Sequence, residues 1–279
     1  MEQYLGGSAE SVDKAKIVIV PVPFDGTSSW IKGADKGPEA IIDASLHLES
    51  YDIETDSSVV KEGIFTDEAI TGKDATEMVA NVQKRVSELL SKEKMVVLLG
   101  GEHSISIGSV LAFKEKFPKM CKLQIDAHAD LLDEYKGEKF SHASVMARVK
   151  DICPFVQVGI RSCSEGERKD MVDDRVFFAK DIMENDNWMD RAISKLDDEV
   201  YVTIDLDALD PSIMPATGTP EPGGMGYWQL LKFLKKVSGK KKIVGFDVVE
   251  LCPREGQEHC SVLGARLIYK LLSYMYYGK

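Results

Sequence analysis

The sequence predicts an α/β protein: a three-layer α/β/α sandwich with a mostly parallel central sheet. Two observations carry that expectation. Seven short apolar runs rich in β-branched residues alternate with seven longer segments of helical periodicity. The runs are nearly continuous in apolar character, as strands buried on both faces are, instead of alternating apolar with polar residues. Strand and helix in regular succession favour an open sheet with helices on both sides, and a closed barrel is the alternative. At 279 residues the chain reads as one large domain spanning 1–279.

The elements follow in order. A first strand is expected at 16–22, in the run Ile17-Val-Ile-Val-Pro-Val22, and a helix at 38–48. A long periodic segment at 75–92 leads to a strand at 95–99, Met-Val-Val-Leu-Leu, and a helix at 105–117. The strand at 122–125 is followed by a short helix at 143–149, and strands at 156–160 and 176–179 come next. A helix at 188–196, a strand at 200–204, a helix at 227–236, a strand at 243–248 and a helix at 260–276 complete the alternation. Residues 211–226 hold four Pro and four Gly, a long stiff loop of the kind that shapes a pocket, or else a plain crossover connection.

Composition narrows the function. Hydrophobic residues make up 44% and charged residues 29%, which is globular material. A net charge of -11 argues against nucleic acid, whose phosphates need a basic patch, and favours a cationic small molecule if part of that charge surrounds the site. The five cysteines are odd in number and form no C-x-x-C pair, so reduced structural thiols are expected. No stretch has the length of a membrane span and the N-terminus lacks a signal-peptide pattern, which makes the cytoplasm the expected location.

Chemistry concentrates in two segments, Asp126-Ala-His128-Ala-Asp130 and Asp205-Leu-Asp207. Each follows an apolar strand and places metal-ligating side chains at alternate positions, which point to one side of an extended chain. Two carboxylates about 4 Å apart repel by roughly 4 kcal/mol at an effective dielectric near 20. Protons or divalent cations must relieve that conflict. Two further strand ends carry polar residues, Gly100-Gly-Glu-His103-Ser and Asp247-Val-Val-Glu250, and in open parallel sheets ligands bind beyond the carboxyl ends of strands. His103 alone is ambiguous, because Gly-Gly before a helix is also a plain turn and Ser104 is a fitting helix cap. Glu102 points away from His103 on an extended segment and is read as a support instead of a ligand.

These segments resemble the ureohydrolase family of arginases and agmatinases, and most resemble the agmatinases. The matching stretches are Gly100 to Ser104, Asp126 to Asp130, Ser141-His-Ala-Ser144, Asp205 to Pro211, Pro215 to Pro220 and Asp247 to Glu250, in the family's order along nearly the whole chain. The resemblance implies an α/β/α fold with two Mn2+ per subunit. It places His103 and Asp130 on one metal, His128 and Asp207 on the other, and Asp126 and Asp205 as bridges. Imidazole with carboxylate suits manganese but equally admits zinc, cobalt or iron. A metal-activated water would attack the central carbon of a guanidinium group, releasing urea and an amine. By the same resemblance Asp130 assists proton delivery, His142 relays protons at the mouth of the site, and Glu250 grips the substrate guanidinium. The bland alternatives are a helix start capped by Ser141 and a strand-end glutamate.

Arginases hold the substrate's α-carboxylate with an asparagine and a serine just after the Asp-x-His-x-Asp segment. Here Leu131-Leu-Asp-Glu-Tyr135 follows, and the added acid near the entrance favours a dication without that carboxylate. Agmatine, cleaved to putrescine and urea in polyamine biosynthesis, is therefore the expected substrate. Arginine, another guanidino acid, or an inactive regulatory relative are the alternatives. A nucleotide-binding sheet protein is disfavoured because the chain lacks both a Gly-x-Gly-x-x-Gly turn and a phosphate-loop lysine. The family implies a homo-oligomer, a trimer or hexamer, for which 267–277 would supply either a contact or a core helix.

Overall fold

The computed structural model describes residues 2–278. One sheet of eight strands runs through it: β1 Ile17–Val22, β2 Ile64–Thr66, β3 Met95–Gly100, β4 Cys121–Ile125, β5 Phe155–Ile160, β6 Val176–Phe178, β7 Glu199–Asp205 and β8 Lys242–Val249. Their order is β2-β1-β3-β8-β7-β4-β5-β6, and every pairing is parallel. The seven expected strands are all present. The eighth, β2, is a three-residue edge strand, too short to leave a periodic signal. The run at 176–179 is strand only to Phe178, and Ala179 opens a short helix.

Alternate residues of the strands other than β4 feed two separate cores, which is why their apolar runs are nearly unbroken; β4 turns Lys122 and Gln124 to one side. Ile17, Ile19, Leu123, Ile125, Val202 and Ile204 pack beneath α1 Gly37–Ser45, α7 Asn187–Ser194, α8 Tyr227–Lys240 and α9 Glu258–Tyr277. Val18, Val20, Val96, Leu98 and Tyr201 meet α2 Ala75–Ser91, α3 Ile105–Lys116 and α4 Val145–Val149 on the other face. The architecture is thus the expected α/β/α sandwich. In α2, Asp74 caps the first turn by accepting from Glu77 N at 2.9 Å, and Met78, Val79, Val82, Val86 and Leu89 line its buried side. The segment at 267–277 takes the core role: Leu267, Ile268, Leu271 and Leu272 of α9 are fully buried. No helix among the described residues is long and apolar enough to cross a membrane. Of the five free cysteines only Cys163 is exposed.

Strand order positions the site. The four strand ends singled out in the sequence belong to β3, β8, β7 and β4, which are consecutive in the middle of the sheet. Register aligns them: Leu99 pairs with Val248, Ile204 with Val248, and Ile125 with Ile204, so the next residues emerge side by side. Chain proximity at Gly101 demands glycine, because a Cβ there would lie 2.1 Å from Phe24 O.

Candidate active site and metal centre

His103 leaves β3 and is buried with its Nδ1 facing three carboxylates: Asp130 Oδ2 at 2.9 Å, Asp126 Oδ2 at 3.2 Å and Asp205 Oδ2 at 3.4 Å. His128 Nδ1 lies 2.9 Å from Asp207 Oδ2 and 3.8 Å from Asp126 Oδ1. Two donor clusters result, His103 with Asp126 and Asp205, and His128 with Asp126 and Asp207, and Asp126 belongs to both. Asp130 completes the first through its contact with His103. All six residues named from the sequence therefore converge.

Local bonding explains how each is aimed. Asp126 accepts from Gln124 Nε2 at 2.7 Å and from His128 N at 2.6 Å, and Asp205 accepts from Asp207 N at 2.9 Å. Asp130 adopts the left-handed backbone region with φ 54, and its carbonyl accepts from Met146 and Ala147 at the start of α4, at 2.8 and 3.1 Å. Glu250 has φ 67. Non-glycine residues in this region are sparse and cluster where surrounding structure fixes a functional side chain.

The tautomer of His103 follows from its other side. His103 Nε2 lies 2.9 Å from Thr203 Oγ1, and that hydroxyl gives its own hydrogen to Asp247 Oδ1. A hydroxyl has one hydrogen, so Thr203 accepts from Nε2–H, and the neutral ring keeps its lone pair on Nδ1. Asp247, buried, also accepts from Ser106 Oγ and Tyr201 Oη, each at 2.7 Å. Apart from the carboxylates it faces, the buried Nδ1 has no hydrogen-bond partner.

Electrostatics show that the carboxylates call for positive charge, supplied here by the imidazoles. Burial opposes a charge on His103, yet Asp126 and Asp130 outweigh it and raise its pKa to about 10. His128 rises to about 10 because Asp207 outweighs burial, and His128 in turn holds Asp207 down to about 2 against the effect of burial. Burial with Asp130 and Asp207 lifts Asp126 to about 7, and burial with Asp207 and Asp126 lifts Asp205 well up. Packed carboxylates here demand positive charge. Two imidazole nitrogens and four aspartates make a donor set that divalent cations fit.

A cavity of about 210 Å³ opens onto this cluster. Glu250 lines it, with Oε1 accepting from His103 N at 2.8 Å, and burial together with Glu102 pushes its pKa well up. His142 lines the wall; burial lowers its pKa, its ring stands edge-on to Tyr135 at 5.4 Å, and its Nδ1 is 3.3 Å from Thr27 Oγ1. Ser141 does not cap that turn with its side chain, which instead meets Ser144 Oγ at 2.8 Å. Nor does Ser104 cap α3: its hydroxyl donates to Glu102 Oε1. Glu102 is a support, as expected, holding Thr27 N at 2.8 Å and Thr27 Oγ1, and through Thr27 the backbone of His142.

Leu132 and Tyr135 of the segment 131–135 line the cavity; its acids Asp133, which turns to Arg148, and Glu134 do not. A further acid at the wall is Glu167, whose two oxygens accept from Leu131 N and Ser164 N at 3.0 and 2.7 Å. Thr219, from the Pro- and Gly-rich loop, also lines it. The sequence reading missed Gln124, Thr203 and Glu167. Gln124 and Thr203 left a signal, polar side chains inside otherwise apolar strands; Glu167 left none beyond an ordinary helix start.

A family model described as the arginase family matches residues 15–273. The chain is 35% identical over 287 aligned positions to the N(1)-aminopropylagmatine ureohydrolase of Synechocystis sp., covering 98% of this chain and 94% of that protein. It is 32% identical over 268 positions to the agmatinase of Pyrococcus horikoshii, covering 94% and 92%. The crystal structure of agmatine ureohydrolase of Thermoplasma volcanium superposes with a TM-score of 0.89 at 31% identity, covering 99% of this chain and 94% of that one.

Proposed function

The chain belongs to the arginase family and is a ureohydrolase of agmatinase-like kind, and from that premise we propose that it hydrolyses a guanidino compound carrying a second positive charge. Agmatine, giving urea and putrescine, is the substrate of this reading. One observation carries it: the cavity wall holds Asp130, Glu167, Asp205, Asp207 and Glu250 but no lysine or arginine among the described residues. With three of these aspartates offset by the cations and Glu250 on the guanidinium, Glu167 is the carboxylate left to meet the far end of the substrate, which suits an amine and repels an α-carboxylate. N(1)-aminopropylagmatine is the second reading, favoured by the likeness to the N(1)-aminopropylagmatine ureohydrolase of Synechocystis sp..

His103 and Asp130 would hold one cation, His128 and Asp207 the other, and Asp126 with Asp205 would serve both. We take manganese as the metal on the family resemblance, with which N and O donors of this kind are compatible. When bound, the cations supply charge that offsets the aspartates and Lewis acidity that activates water.

The chain's own residues do the rest. Glu250, its Oε1 tied to the His103 backbone, is placed to receive the guanidinium; an arriving cation favours the ionised carboxyl that burial otherwise resists. Fixing that group orients its central carbon toward the cluster. Asp130, on the metal side, and His142, held neutral by burial in the wall, are the groups placed to pass a proton to the departing amine. Urea release from manganese-loaded protein with agmatine, N(1)-aminopropylagmatine, arginine and guanidinobutyrate tests the reading. The amine-ended substrates should show the higher kcat/KM, and a preference for arginine or guanidinobutyrate would overturn it.

A further inference from the structure

Arg161 follows the last residue of β5, and its guanidinium bonds only to main-chain carbonyls. Nη2 donates to Asp207 O at 2.6 Å, Glu221 O at 2.7 Å and Leu209 O at 3.4 Å. Nη1 donates to Gly159 O at 3.3 Å and Ala208 O at 3.4 Å, and Nε to Pro222 O at 3.0 Å and Glu221 O at 3.2 Å. The backbone N–H of Arg161 adds Ala127 O at 2.8 Å. One residue thus ties together the metal-side turn after β4, the turn that carries Asp207, and the loop just beyond Thr219.

Carbonyl acceptors make this different from an ion pair. A carboxylate partner would fix one side chain, whereas six carbonyls fix the path of three backbones. Asp207 sits at the focus: its carbonyl is held by Arg161 while its Oδ2 faces His128 Nδ1 at 2.9 Å, with Thr219 Oγ1 at 3.5 Å. Planar geometry with five donors permits the spread; a lysine ammonium has three donors at one point.

We propose that Arg161 is a positioning residue for the cation held by His128 and Asp207, and that it sets that cation's place relative to the pocket wall at Thr219. The inference rests on the ligand reading above. Asp207 moves with its own peptide, so slack behind its carbonyl becomes slack in its carboxylate.

The test uses the full chain with Arg161→Lys and Arg161→Gln, with His128→Asn and His103→Asn as references. Manganese per chain is measured by elemental analysis and titration, and the coupling of the two ions by electron paramagnetic resonance. Wild type should bind a coupled pair. Both Arg161 variants should keep the wild-type circular dichroism, bind one manganese about 10- to 100-fold more weakly and show an isolated-ion spectrum like that of His128→Asn. Arg161→Lys with an undiminished coupled pair would overturn the proposal. So would failure of both variants to fold, since a residue the whole fold depends on is not confined to positioning one ligand. A wild-type chain without a coupled pair would defeat the ligand reading and this inference with it, while His128→Asn behaving like wild type would defeat only the assignment of the cation to His128.

Discussion

Thr203 stands between His103 and Asp247, taking the imidazole Nε2 hydrogen at 2.9 Å and passing its own to the carboxylate. The arrangement replaces a direct carboxylate–histidine contact by one with a hydroxyl inserted, and it keeps Nδ1 free for a cation. Thr203→Val preserves shape and removes the hydroxyl. It should weaken manganese binding by about 10- to 100-fold in a calorimetric titration, whereas Thr203→Ser should bind like wild type. Equal affinities for all three would show that the hydroxyl does not orient the ring.

In the proposed function Glu250 grips the guanidinium, so Glu250→Gln should act mainly on substrate capture. A hydrogen bond to a charged group contributes about 1.5–3 kcal/mol, which corresponds to a drop in kcat/KM of about 10- to 150-fold. Steady-state kinetics with agmatine check this. Unchanged KM and kcat would mean that another residue holds the guanidinium.

Lys122 lies fully buried in β4, its Nζ has no hydrogen-bond partner, and burial pushes its pKa down. An unpaired buried polar group costs about 1–3 kcal/mol. Lys122→Met, apolar and of similar length, should therefore raise the unfolding free energy by that order in urea titrations. A less stable variant would show that the amine is satisfied in solution.

Acid should loosen the seam between the 52–57 loop and α9. Glu54 meets Lys270 at 2.6 Å, Lys235 at 2.7 Å and Tyr274 Oη at 2.7 Å, and these partners outweigh burial to depress its pKa from 4.5 to about 2. A depressed carboxyl stabilises the fold above its unfolded pKa, and the contribution fades as pH falls toward the folded value. The stability difference between wild type and Glu54→Gln should be full above about pH 5 and shrink toward pH 2. A difference that stays constant across that range would exclude the ion pairs as its source.

Much of the fold was readable because buried parallel strands are apolar throughout and helices repeat every few residues. Short elements escaped for the same reason: Ile64–Thr66, Glu165–Asp170 and Ala179–Ile182 are too brief to show a period. In the site, the alternation of Asp126, His128 and Asp130 was visible as a break in an apolar run. Glu167 was not, because its bond to Ser164 N is an ordinary capping box and only its bond to Leu131 N, 36 residues away in the chain, brings it to the wall, while Asp133 of 131–135 pairs with Arg148.

Sequence alone picked out the candidate ligands and their grouping within each segment, since side-chain direction along an extended chain depends only on local spacing. Strand neighbours are a different matter. Hydrogen bonds between segments far apart in the chain placed β3, β8, β7 and β4 side by side, and no local pattern encodes that order. The same long-range packing brought Thr203 behind His103, Arg161 behind Asp207, and, among the described residues, a cavity wall without lysine or arginine. Periodicity records how deeply a residue is buried; only the folded chain decides what it is buried against.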